Sequence, residues 1–100
     1  EWSYLAWPVS SADLEKLRGG RFVFTSGSHA LEIDGVELLE NGKVIARDQH
    51  AGLAGKPSRG NFYKLSLPKG IHANNGCSLR ARVRSVGGKS SNGKLELIKE

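Results

Sequence analysis

The sequence predicts an all-β fold, an antiparallel two-sheet β-sandwich of Ig-like type with about six or seven strands. Three observations carry this expectation. From Arg21 onward, apolar and polar residues alternate with a period of two, the pattern of strands that bury one face. Asn41-Gly42 lies between two apolar runs, which is a strong hairpin signal because a type I′ turn needs positive φ at both central residues. Clusters of turn-forming residues separate the runs at intervals of roughly 8–15 residues, as in sandwiches. A small closed barrel is the alternative arrangement.

Residues 1–20 differ from the rest and read as an aromatic leader or linker packing on a sandwich domain of residues 21–100. In an extended segment Trp2, Tyr4 and Ala6 share one face, with Leu5 and Trp7 on the other. Pro8 is expected to stop that segment. Ser10 or Ser11 then caps a short helical turn that docks through Leu14 and Leu17 and ends at Gly19-Gly20.

Phe22 and Phe24 form the inward pair of the next strand, followed by a turn at Ser26-Gly27-Ser28. Leu31 and Ile33 alternate with Glu32 and Asp34 before Gly35 interrupts the run. An interior glycine of this kind marks a bulge. The hairpin partner is Lys43 to Arg47. Residues 48–60 read as a long polar connection and 69–76 as a loop. Tyr63, Leu65 and Leu67 supply one further inward face, and Leu79, Ala81 and Val83 supply another. Ser90-Ser91-Asn92-Gly93 reads as a turn before a last strand with Leu95 and Leu97 inward.

The chain has 100 residues, enough for one core. Its 38% hydrophobic and 25% charged residues match a folded domain rather than a disordered one. No apolar run approaches the roughly 20 residues of a membrane-spanning helix, so no membrane span is expected. No methionine is present, and the chain is expected to be a piece of a larger protein. Cys77 is the single cysteine, which excludes an internal disulfide and reads as a small buried residue. The net charge of +5 permits attraction to anionic partners without identifying one.

Arg80, Arg82 and Arg84 place three guanidinium groups on one strand face. They suit an anionic ligand or partner, or else a solvated face paired with acids on a neighbouring strand such as Glu37 or Glu96. With no aromatic on that strand face, nucleic acid is not the expected partner. Trp2, Tyr4 and Trp7 are the other candidate surface: a platform for a sugar ring, or a patch packed on the sandwich or a neighbouring domain.

His29, His50 and His72 lie far apart in sequence, with no close pair of ligands to anchor a metal. Asp48 and His50 admit an acid–base pair or ordinary turn hydrogen bonds. Gly87-Gly88-Lys89-Ser90 lacks the upstream glycine of a phosphate loop. Glu32, Asp34, Glu37 and Glu40 supply carboxylates, but no nucleophile elbow or paired-cysteine zinc motif accompanies them. No catalytic residue, metal or cofactor is expected of this domain.

Five ordered blocks carry a resemblance. They are Thr25 to Ile33, Val36 to Asp48, His50-Ala51-Gly52, Leu79 to Arg84, and Gly87 to Gly93. Across residues 20–98 the chain resembles a β-sandwich module at the C-terminal end of bacterial glycoside hydrolases, notably β-N-acetylhexosaminidase-like and fucosidase-like enzymes. The resemblance implies a non-catalytic accessory domain, extracellular or periplasmic, whose partner is the catalytic domain of the same parent chain. A carbohydrate-binding module is the alternative, and a small stand-alone enzyme a distant third. It transfers no catalytic residue.

Overall fold

The computed structural model describes residues 1–55, 61–68, 76–87 and 91–100. Among them eight strands form two antiparallel sheets, an all-β two-sheet sandwich. The strands are β1 (Ser3–Val9), β2 (Leu17–Ser26), β3 (Leu31–Glu40), β4 (Lys43–Asp48), β5 (Gly52–Ala54), β6 (Asn61–Lys64), β7 (Cys77–Ser85) and β8 (Asn92–Lys99), with one helix, α1 (Ser11–Lys16).

The larger sheet has the order β1-β7-β3-β4, and β5 also pairs with β3. Along β3, residues 31–33 meet β5 and residues 36–40 meet β4. The smaller sheet has the order β6-β2-β8. The core lies between them. The larger sheet contributes Leu31, Ile33, Val36, Leu38, Leu79, Ala81 and Val83, and the smaller contributes Phe22, Phe24, Tyr63 and Leu95. All but Val36 and Leu38 are positions read from the alternation, buried because the period of two puts them on the covered face; Val36 and Leu38 follow the bulge at Gly35.

The Asn41-Gly42 turn forms as expected, with φ of 51° and 84°. The bulge at Gly35 is also present: the β3–β7 register shifts between Ile33 and Gly35. At α1, Ser10 is the N-cap and its hydroxyl accepts from the Asp13 N–H at 3.2 Å. Leu14 and Leu17 dock this turn at 3% and 4% exposure.

The structure departs from the sequence reading in several places. Residues 3–9, read as an extended segment packing on the sandwich, form β1, which joins the larger sheet by pairing with β7 from Ser3–Val83 to Val9–Cys77. Pro8 does not end this strand, because an edge strand tolerates a missing N–H. Gly19-Gly20 do not stop the helix; α1 ends at Lys16 and both glycines lie inside β2. A Cβ at Gly19 would strike the Tyr63 carbonyl oxygen, and one at Gly20 would meet Leu95. These glycines let neighbouring elements approach. β5 occupies part of the expected 48–60 connection. Asn92-Gly93 begins β8 rather than a turn. Residues 56–60, 69–75 and 88–90, with His72 and part of the 87–90 glycine run, lie outside the described residues.

Gly93 and Gly42 separate two uses of glycine. A Cβ at Gly93 would strike the Phe22 ring and lie 2.9 Å from the Val23 carbonyl oxygen, whereas Gly42 has open space but a φ of +84°. Gly93→Ala is expected to destabilise by about 3 kcal/mol through overpacking, and Gly42→Ala by about 1 kcal/mol through left-handed strain. Urea unfolding checks this order.

Candidate functional site

The outer face of the larger sheet carries the densest set of functional side chains. Along β7, Leu79, Ala81 and Val83 point into the core, so Arg80, Arg82 and Arg84 point outward. On β3, Glu32 and Glu37 lie opposite Arg84 and Arg80, and the bulge brings Asp34-Gly35 to Arg82. Three ion pairs result. Arg80 Nε donates to Glu37 Oε1 at 2.7 Å, Arg82 Nη1 to Asp34 Oδ2 at 2.9 Å, and Arg84 Nε to Glu32 Oε2 at 2.7 Å. On β4, Arg47 grips the same carboxylate from the other side, through Nε at 2.9 Å and Nη2 at 2.6 Å to Glu37 Oε2.

Two aromatic rings cover this ladder. Arg80 lies 4.3 Å from the Tyr4 ring centroid, while Arg82 and Arg84 lie 5.0 and 4.6 Å from that of Trp2. Cations at such distances are attracted by the ring quadrupole. Trp7 does not join them. It faces the other side of β1, opposite Leu79, and packs against the core as a half-buried residue. Of Trp2, Tyr4 and Trp7, only Trp2 and Tyr4 lie over the arginines, and Trp7 packs on the sandwich, the other reading of these residues. Trp2 and Tyr4 lie against the arginines, which corrects the expectation of no aromatic beside them: β1, paired with β7, carries Tyr4, and Trp2 directly precedes it. Glu96, a suggested arginine partner, instead meets Arg21 at 3.8 Å and Lys94 at 3.4 Å on the smaller sheet.

Glu37 is the centre of the ladder. Partial burial pushes its carboxyl up, but the hydrogen bonds and charges of Arg80 and Arg47 outweigh this and hold it below its ordinary value. It stays ionised at neutral pH.

Asp48 and His50 form a second cluster. His50 Nδ1 and Asp48 Oδ1 are 2.8 Å apart, and the other Asp48 oxygen accepts from the Lys64 N–H at 2.7 Å. The His50 ring stacks on Tyr63, with centroids 4.1 Å apart and planes 15° apart. Burial pushes Asp48 up, but the bonds from His50 and Lys64 bring it below its ordinary value. Tyr63 is pushed up to about 12 by burial, then by the charges of Asp48 and Asp34, so it stays protonated. This cluster ties β4 of one sheet to β6 of the other and leaves Asp48 engaged on both oxygens.

The remaining suggestions disperse. Cys77 is buried, and burial followed by the charge of Glu40 pushes its thiol up, which makes it a poor nucleophile. The His29 backbone bonds with the Ser91 hydroxyl. Among the described residues no three His, Cys, Asp or Glu side chains converge on a metal position.

Sequence reasoning found the bulge at Gly35 but missed the parts played by Arg47 and Gln49, and that the bulge sets Asp34 against Arg82. A signal existed: Glu32, Asp34 and Glu37 repeat along β3 almost in step with Arg84, Arg82 and Arg80 along β7, once Gly35 is counted as an extra residue. No protein-family model matches this chain, and no curated protein is significantly similar to it.

Two measurements check this electrostatic account. Glu37→Gln removes the charge shared by two arginines at a side chain 15% exposed and is expected to cost about 1–2 kcal/mol. Glu32→Gln, at 35% exposure, should cost under about 1 kcal/mol. Glu37 and Asp48 titrate below their ordinary values of 4.5 and 3.8, so the unfolded chain binds more protons in that interval. Their contribution is full above about pH 5 and is lost as pH falls through the folded values. Acid unfolding of wild type should show this decline, and Glu37→Gln should show a shallower one.

Proposed function

We propose that this chain is a non-catalytic accessory domain of a secreted or periplasmic carbohydrate-active hydrolase, with the catalytic domain of the same parent chain as its partner. The observation that carries this reading is the state of the carboxylates. Glu32, Asp34 and Glu37 are each bound by arginine at 2.6–2.9 Å, and Asp48 is held by His50 and Lys64. A glycosidase needs one carboxyl kept protonated as an acid and another as a base or nucleophile. Arginine-bound Glu37 has the opposite bias, toward permanent ionisation.

The same pairing bears on nucleic acid. Arg47, Arg80, Arg82 and Arg84 face three carboxylates across hydrogen bonds, so most of the positive charge that phosphates would need is already neutralised. A phosphate would have to displace these internal acids. The resemblance in the 25–52 and 79–93 blocks supplies the enzymatic context, and those blocks contribute β3, β4 and β7, which build the outer face.

The reading frame on the Glu1 side of this chain tests the proposal. A glycoside-hydrolase catalytic domain encoded in frame is the expected finding, and its deletion partner lacking this domain should melt at a lower temperature. A frame without such a domain overturns the reading. Turnover of aryl glycosides by the 100-residue chain itself would also overturn it; none is expected.

A further inference from the structure

We infer that the outer face of the larger sheet holds a binding trough for a neutral saccharide of one or two pyranose residues. The trough encloses about 250 Å³ and is lined by Tyr4, Asp34, Gly35, Glu37, Arg47, Gln49 and Arg82. It runs across the strands, from β1 over β7 and β3 to the end of β4. Three strand spacings of about 4.8 Å make it roughly 14 Å long. At about 250 Å³ it lies below the roughly 300–1,000 Å³ of sites for drug-sized ligands, which limits the occupant to a small one.

Its chemistry selects the ligand class. Tyr4 is 52% exposed, and Arg80 stacks on the ring from one side at 4.3 Å. That contact holds the ring in place, while its exposed surface offers an apolar plane to a C–H face. Two carboxylates, Asp34 and Glu37, and two guanidiniums, Arg47 and Arg82, balance within the trough. An anion meets the acids and a cation meets the arginines, so neither is favoured. Vicinal hydroxyls donate and accept from adjacent atoms and fit both kinds of group.

Hydrogen-bonding capacity is left over for them. Among the described residues, Arg82 reaches Asp34 only at Oδ2, and Arg47 uses Nε and Nη2 but not Nη1. The exposed Gln49 amide has no protein partner there. Gly35 shapes the floor: a Cβ there would lie 3.1 Å from the Asp48 carbonyl oxygen and 3.2 Å from Gln49 Cα. Its absence lets the end of β4 close in.

The choice of glycan over other neutral ligands rests on the accessory-domain reading, but the two fail separately. A parent frame without a hydrolase sinks that reading and leaves the trough to be judged by binding alone. The test is a two-dimensional amide NMR titration of the 100-residue chain with neutral methyl pyranosides and disaccharides. A uronic acid, a zwitterionic dipeptide and glycerol are the comparison ligands. Saturable shifts are expected at Tyr4, Gly35, Arg47 and Gln49, with a Kd on the order of 1 mM for so small a contact.

Tyr4→Ala should weaken binding about tenfold and Tyr4→Phe should retain it, since the ring face is what matters. Gln49→Ala, at an exposed position, should weaken binding without disturbing the rest of the spectrum. The inference is overturned if no neutral saccharide gives saturable shifts at about 50 mM, well above that Kd. Shifts confined to other residues, tighter binding of the uronic acid or dipeptide, or equal binding by glycerol would each overturn it too.

Discussion

In a regular strand, positions three apart point to opposite faces, yet Ile33 and Val36 are both buried, at 1% and 0% exposure. The bulge at Asp34-Gly35 makes this possible by adding one residue to β3 against Arg82 of β7. Because the bulge absorbs the extra residue, both apolar side chains stay in the core. The bulge also keeps Asp34 and Glu37 on the outside, where they meet Arg82 and Arg80. Laid out as a regular strand, the same residues would turn Val36 out of the core and Glu37 away from the ladder, because a one-residue slip turns every later side chain over. A bulge also bends its strand and re-aims the residues beside it. Here it opens the space into which the end of β4 descends.

The ladder itself contributes little to overall stability. Its arginines are 30–54% exposed, and exposed pairs are worth roughly 0–1 kcal/mol each. Burying one large apolar side chain contributes about 1.5–3 kcal/mol, and Phe22, Ile33, Leu38 and Leu79 are all buried to within 2%. The core therefore holds the fold without any disulfide. What the ladder adds is order on the surface. Glu37 accepts from arginines on both neighbouring strands, and Trp2 and Tyr4 rest on the guanidiniums. Long side chains that would otherwise sample many rotamers are fixed by at least two contacts each.

Much of this architecture was legible because it follows from a period of two. Leu79, Ala81 and Val83 inward imply Arg80, Arg82 and Arg84 outward, and Asn41-Gly42 implies its turn. Several departures share a cause: glycine and proline read as breaks in sequence, whereas their neighbours make them close-approach or edge positions. Gly19, Gly20 and Gly93 sit inside strands because Tyr63, Leu95 and Phe22 occupy the space a Cβ would need. Only the fold brings those residues together. Pro8 is tolerated because β1 is an edge, and edge status depends on which strand it joins. The site was legible in its arginines and in Tyr4, but not in its assembly. Sequence distance hides that β1 lies beside β7, so the rings and guanidiniums read as two separate features.

Their union changes what the arginines are for. An arginine cluster facing solvent alone is an anion site, since five donors await an acceptor. Here each guanidinium already has a carboxylate, and each of those carboxylates is held by arginine. The face is thus a lattice of paired charges with aromatic rings along one border and an amide at the other. Such a lattice repels neither sign strongly and attracts neither. Its residual donors and acceptors are spaced by the strands, about 4.8 Å apart, and fixed by their neighbours. A surface of that kind discriminates by geometry rather than by net charge. That favours polar, uncharged partners held by several weak, directional bonds.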